Sequence, residues 1–207
     1  LLEQGGKEAY EGLFNEIVRI AQEKGVKFGP IQVVDSVHVV ADVNVRKDKG
    51  RKEKGQGPRD PDARWGVKGD KVEEGKDGPE RKRQYFYGYK DQVSLNAETE
   101  LVSSVVPGWG DDYDGHALKK LVEKDKAKGI KAEIVAADKG YDDGENHYYL
   151  KEKGIASAIK LNDYRTQKKD KNKEGWVKLK ASEEYQRGLK ERYKVERKFG
   201  EAKKWHG

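Results

Sequence analysis

The stretch Ile31-Gln-Val-Val-Asp-Ser-Val-His-Val-Val40 decides the fold. It is β-branched and apolar on both alternating faces, the pattern of a central strand covered from two sides. Asp35 breaks that pattern. A bare carboxylate inside such a strand is costly unless something compensates it. Upstream, residues 6–24 read as an amphipathic helix. Tyr10, Leu13, Phe14, Ile17, Val18 and Ala21 recur at i, i+3, i+4, i+7 spacing, and Gly25 serves as a stop.

Downstream, the chain changes character. Residues 46–83 carry fourteen Lys/Arg against nine Asp/Glu, nearly all of the net charge of +6, with many glycines and little that is apolar. This composition predicts a long charged loop, solvated, with a nucleic-acid contact as its functional alternative. Gln84–Leu95 and Glu100–Val106 read as strands joined by the turn-like Asn96-Ala-Glu-Thr99. A Gly/Asp-rich loop, Pro107–Gly115, precedes a helix over His116–Lys128. Lys131–Ala137 is a short buried strand that ends in Asp138. Asp142 with Glu145 makes a capping-box-like start for a helix to Lys153, and Ile155–Lys160 is a last strand. A polar segment, 161–180, holds Trp176 and precedes a single helix from about Ser182 to Trp205. The order is α-β-(long loop)-β-β-α-β-α-β-α.

Composition bounds the function. At 207 residues with 34% apolar and 40% charged residues, the chain suffices for one modest core. No apolar run approaches the roughly 18 residues of a membrane span. Without cysteine there is no disulfide, thiolate zinc site or cysteine nucleophile in this sequence. The excess of 44 basic over 38 acidic residues leans toward a polyanionic partner. The absence of methionine makes Leu1 read as an internal position of a longer protein.

Three acidic positions stand out. Asp35 interrupts an apolar strand, and Asp138 ends another, where open α/β sheets place their sites. On the last helix, Tyr185, Leu189, Arg192, Glu196, Phe199 and Lys203 fall within an arc of roughly 80°. Its apolar members mark the docking face, so Glu196 is expected to point inward between Arg192 and Lys203. Taken singly, these are an Asp accepting backbone hydrogen bonds, a helix cap and a salt-bridge ladder. Taken together, they are an oxygen-only donor set of the kind hard divalent cations prefer. Two such ions about 3.5–4 Å apart can hold the attacking and leaving oxygens of a phosphodiester.

Val33-Val-Asp35-Ser-Val-His-Val, Ala136-Ala-Asp138-Lys-Gly-Tyr-Asp142 and Arg192-Tyr-Lys-Val-Glu196-Arg-Lys-Phe-Gly200 resemble blocks of the DDE-type transposases of bacterial and archaeal insertion sequences. So do Asp60-Pro-Asp-Ala-Arg64, Tyr87-Gly-Tyr-Lys90 and Asp114-Gly-His-Ala-Leu118. The resemblance runs from about residue 30 onward. It implies an α/β ribonuclease H-like fold: a mixed five-strand sheet, three strands antiparallel and two parallel, with helices on both faces. Residues 29–207 would form that catalytic domain, with the charged loop 46–83 and a small insertion at 161–180. Residues 1–28 would be a helical remnant of the region ahead of it.

By the same resemblance, Asp35, Asp138 and Glu196 would be catalytic and would bind two Mg2+ (or Mn2+) ions. Water would cut the phosphodiester at the element's end, and the freed 3′-hydroxyl would attack target DNA. The family's Tyr-Arg-Glu-Lys signature is matched by Arg192, Glu196 and Lys203, whereas its Tyr position holds Leu189. Arg192, Lys203 and Lys139 would contact DNA phosphates, and Trp176 is the candidate for stacking on a base. The implied partners are element ends and target DNA, with further copies of the chain assembled on them and no membrane. The implied setting is a prokaryotic cytoplasm, at the nucleoid when DNA is bound. A metal-dependent nuclease without strand transfer, and an inactive DNA-binding relic, remain the alternatives.

Overall fold

The computed structural model describes residues 6–75, 78–167 and 170–206. Helix α1 (Gly6–Glu23) leads into β1 (Ile31–Val40), followed by α2 (Val45–Glu53), β2 (Arg64–Gly75), β3 (Gly78–Asn96) and β4 (Val102–Trp109). Then come α3 (Leu118–Ala127), β5 (Ile134–Ala137), α4 (Gly144–Glu152), β6 (Ala156–Ile159), α5 (Lys173–Ala181), α6 (Glu183–Glu191) and α7 (Tyr193–His206). The strands form one mixed sheet in the order β2-β3-β1-β5-β6, with β4 also paired to β3. β1, β5 and β6 run parallel, in the register Ile31↔Ile134 and Ile134↔Ala156. This is the expected α/β architecture of ribonuclease H-like type, with one strand more than expected.

The chain divides into two compact units. The first takes the chain up to Asp35, Gln92–Val106 and everything from Tyr113 on. Its sheet is covered on both faces, as the doubly apolar strands require. On one face Ile31, Val33, Leu95, Ile134, Ala136 and Ala158 pack with Val195 of α7. On the other, Val34, Val135, Ala137 and Ile159 pack with Leu118 and Leu121 of α3 and Leu150 of α4. α1 buries Val18 and Ala21 but leaves Leu13 and Ile17 exposed, so only part of its apolar stripe reaches the core.

In the second unit, Ser36–Asp91 with Pro107–Asp112, the expected loop over 46–83 is largely ordered structure. It consists of α2 and an antiparallel hairpin running from Arg64↔Gly88 to Gly75↔Gly78. Asp60 clasps the start of that hairpin. Its backbone oxygen accepts from the Tyr87 hydroxyl (2.7 Å), and its carboxylate accepts from the Tyr89 hydroxyl (2.7 Å) and the Ala63 amide (3.2 Å). Burial, together with that Asp60 carboxylate, pushes the Tyr89 phenol well above its usual range. The Asp60–Arg64 and Tyr87–Lys90 blocks are thus two halves of one local contact.

The C-terminal segment also differs from the single helix expected. It breaks at Arg192, so α6 and α7 are separate. α6 lies so close to the sheet that a Cβ on Gly188 would stand 2.4 Å from the Ala158 Cβ and 2.9 Å from Ile134 Cγ2. Tyr185 is buried beside it and its hydroxyl accepts from the Leu161 amide (3.1 Å). The segment 161–180 contains α5 and a 3-10 turn, Asp163–Thr166.

Candidate active site

Asp35 and Asp138 occupy equivalent places on neighbouring strands. The last paired residues of β1 and β5 are Val34 and Ala137, and the two aspartates are the residues directly after them. Parallel strands lie about 4.8 Å apart, so the backbones that carry these carboxylates are adjacent. By alternation, both belong to the face of Val33 and Ala136, on which Val195 packs. Asp35 is half-buried, as is Asp138. Asp138 does cap, as its structural reading required: Oδ1 accepts from the Gly140 amide (2.7 Å) at the head of a 3-10 turn, Lys139–Tyr141.

A further carboxylate stands beside Asp138. A Cβ at Gly140 would lie 2.9 Å from Asp138 Oδ1 and 3.3 Å from Asp114 Oδ2, so both acids flank one point. Asp114 is held there by Gln92, whose amide donates to its Oδ1 (2.8 Å), while the Tyr141 hydroxyl donates to Gln92 Oε1. Asp114 lay within a motif block read from the sequence, but nothing in its Gly/Asp-rich surroundings singled it out.

Glu196 departs from expectation. Its side chain is 62% exposed and pairs with Arg192 at 3.2 Å rather than pointing inward. Val195, fully buried, takes the inward position. Arg192 keeps helical dihedrals, and the buried Gly188 and Val195, seven residues apart, share one face, so the docking side lies to one side of the arc drawn through Glu196. Arg192 itself is only 16% exposed, and its Nε is buried without an acceptor among the described residues. Lys139 and Lys203 are exposed. Among the described residues, no three acidic or histidine side chains meet closely enough to hold a metal ion.

Trp176 is half-buried and already engaged. Its ring lies 4.8 Å from that of His147, Arg165 sits 4.7 Å from its centroid, and its Nε1 donates to Asp170 (3.2 Å). These contacts give the ring a packing role, and it also lines a surface cleft with Tyr148 and Leu179.

Asp142 is also not the cap the sequence suggests. Asp143 caps α4 through the Asn146 amide (2.7 Å). The buried Asp142 carboxylate instead accepts from His147 Nε2 (3.0 Å), from the Asn162 amide (2.7 Å) and from Arg165 Nε (3.2 Å). His147 Nδ1 in turn meets Ser157 Oγ at 2.9 Å, so this chain of bonds buckles α4, β6 and the following turn together. Burial alone would raise the Asp142 carboxyl, but the His147 and Asn162 hydrogen bonds and the Arg165 charge outweigh it and hold it at about 2. A carboxyl depressed in the folded state contributes stability above its unfolded value and loses it as pH falls. The contribution, about 2.5 kcal/mol by linkage from an unfolded pKa near 3.9, should be intact above about pH 5 and gone below about pH 2. Thermal unfolding between pH 2 and 6 should show this slope, and Asp142→Asn should flatten it.

These features define a class: an α/β protein of ribonuclease H-like type with aspartates on adjacent central strands, directly after the point where their parallel pairing stops. Residues 28–207 match the model of the Transposase DDE domain family. The chain belongs to that family, and DNA is the partner that membership implies. Neither curated proteins nor solved structures gave a match. No described helix is long and apolar enough to cross a membrane.

Proposed function

We propose that this chain is the catalytic core of an insertion-sequence transposase, cutting and rejoining DNA phosphodiesters with divalent metal ions. The observation that carries this reading is the parallel register that ends in Asp35 and Asp138. Two aspartates on neighbouring strands, each just past the last pair of the parallel register, offer the oxygen donors that magnesium takes, and one or two carboxylates suffice because the ion keeps waters for its substrate. The pair therefore suits one divalent ion. A second ion requires Glu196 to exchange its Arg192 partner for the metal. Bound metal supplies charge neutralisation at the attacking and leaving oxygens of the phosphodiester.

The remaining work falls to the chain itself. Arg192, Lys139 and Lys203 are cationic side chains of the kind that contacts phosphates, and both lysines are exposed. Such contacts are sequence-independent and weaken steeply with salt. Water is the nucleophile for cutting, and the freed 3′-hydroxyl is the nucleophile for joining, so no protein side chain forms a covalent intermediate. Copies of the chain would assemble on paired DNA ends. A second reading, a DNA-binding relic that no longer reacts, is favoured by the exposure of Glu196 and its pairing with Arg192.

Supercoiled plasmid incubated with the chain decides between them. Nicking in Mg2+ or Mn2+ that stops in EDTA, and falls more than about 100-fold in Asp35→Ala, supports the enzyme, since losing even an outer-shell partner typically costs 10–100-fold. Joined products identify a transposase and their absence a simple nuclease. Binding without any nicking by the parent chain identifies the relic.

A further inference from the structure

The second unit contains a cleft of about 610 Å3 lined by residues of α2, the Gly57-Pro58 turn, Trp65 and Tyr87. Trp65 and Tyr87 are cross-strand partners in the hairpin, with ring centroids 5.4 Å apart. Trp65 is 54% exposed, unusually open for a ring of that size. Opposite stands a helix that has no share in any core. α2 has no buried residue, and it is held instead by its Asn44 cap (3.1 Å to the Lys47 amide) and by Arg51 donating to the Gly57 carbonyl (3.1 Å).

The charges of this cleft are one-sided. Arg46, Lys49 and Lys52, three residues apart along α2, line it and are exposed, and among the described residues none holds an ion pair. Asp48, the acid of the lining, is turned to Arg59: its Oδ2 accepts from the Arg59 amide (3.3 Å), and Oδ1 lies 3.9 Å from Arg59 Nε. An aromatic floor beside an unneutralised row of cations matches a ligand with a flat apolar face and flanking anions. A nucleobase with its phosphates has that form. Bases inside a duplex have no free face to offer such a floor, whereas unpaired bases do.

We propose that this cleft binds unpaired nucleotides of single-stranded DNA, with a base against Trp65 and Tyr87 and the backbone phosphates along Arg46, Lys49 and Lys52. The inference rests on the DNA-binding part of the reading above and not on its chemistry. It can therefore be tested in EDTA, where no cutting occurs. A fluorescently labelled 15-nucleotide dT strand and a 15-base-pair duplex are titrated with the chain by anisotropy at 50 to 200 mM salt.

Trp65→Ala should weaken dT binding by about tenfold, the scale of losing one stacked base, and duplex binding by less than twofold. Trp65→Phe should recover most of the loss. Lys49→Ala with Lys52→Ala alters two exposed side chains and so spares the fold. It should lower the salt slope for dT by about 1.4, or 0.7 per phosphate contact. Unchanged dT affinity in Trp65→Ala, equal losses for strand and duplex, or an unchanged slope in the double variant would each overturn the proposal. A chain that never nicks plasmid yet binds dT through Trp65 would sink the catalytic reading and leave the cleft standing. A nicking chain whose dT affinity ignores Trp65 would do the reverse.

Discussion

An Asp138→Asn chain is expected to fold like the parent and to lose metal-dependent DNA cleavage. On the proposed reading Asp138 has two separable jobs. Its Oδ1 caps the 3-10 turn through the Gly140 amide at 2.7 Å, and an asparagine oxygen can accept that bond as well. What asparagine removes is the negative charge, and with it most of the affinity for a hard cation. Nicking should therefore fall by more than about 100-fold, beyond what disturbing an outer-shell partner does, with the unfolding midpoint within a few degrees of the parent's. If nicking persists within tenfold, Asp138 is a cap and nothing more, and Asp114 becomes the acid to replace next. The contrast with Asp35→Ala is useful because Asp35 is not at the head of a turn. Loss of activity in both variants, with stability kept in the asparagine, separates chemistry from folding.

Gly188→Val is expected to be the most damaging change to the fold. Even a methyl at this position would stand 2.4 Å from the Ala158 Cβ and 2.9 Å from Ile134 Cγ2. Ala158 lies within β6 and Ile134 opens β5, and neither can retreat without disturbing the face they share with Val195. In an open helix, replacing glycine with alanine would gain up to about 1 kcal/mol in propensity, which would blur the result; valine adds bulk with less of that gain. Overpacking of this kind costs about 1–3 kcal/mol, with valine near the upper end. At roughly 2–4 °C per kcal/mol for a chain of this size, the unfolding midpoint should drop by about 6–12 °C, measurable by thermal or denaturant unfolding. A midpoint unchanged within a degree would mean that α6 can stand off the sheet.

The first unit was largely legible because its strands are covered on both sides, so burial leaves a mark on every residue of Ile31–Val34 and Ile134–Ala137. The same reasoning singled out Asp35, an acid inside one apolar strand, and Asp138, directly after another. It missed the arm of the second unit. Of Gly78–Tyr85 nothing is buried, and α2 buries nothing. Elements that bury neither face carry no periodic signal to read. The direction of Glu196 was lost for another reason. The apolar side chains that marked the docking face left out Gly188, which has no side chain to mark it, and the face it shares with the buried Val195 is turned away from Glu196. Asp142 and Asp143 differ by one residue, and the local motif, with Glu145 three residues on, favours Asp142 although Asp143 is the cap. Only the distant partners Asn162 and Arg165 decide which of the two turns inward.

The long hairpin carries a hazard that its own details manage. β2 sits at the sheet's margin, and over twelve residues its outer amides and carbonyls are a template on which another polypeptide could zip up. Val67 and Val72, both exposed, would sweeten such a pairing. The register slips between Val67 and Gly69, where the backbone takes φ 121°, a conformation that favours glycine. Lys68 lies within that slip and Lys71 two residues beyond it. The kink and the like charges spoil any long flat match with a second chain, the feature on which edge-to-edge stacking depends.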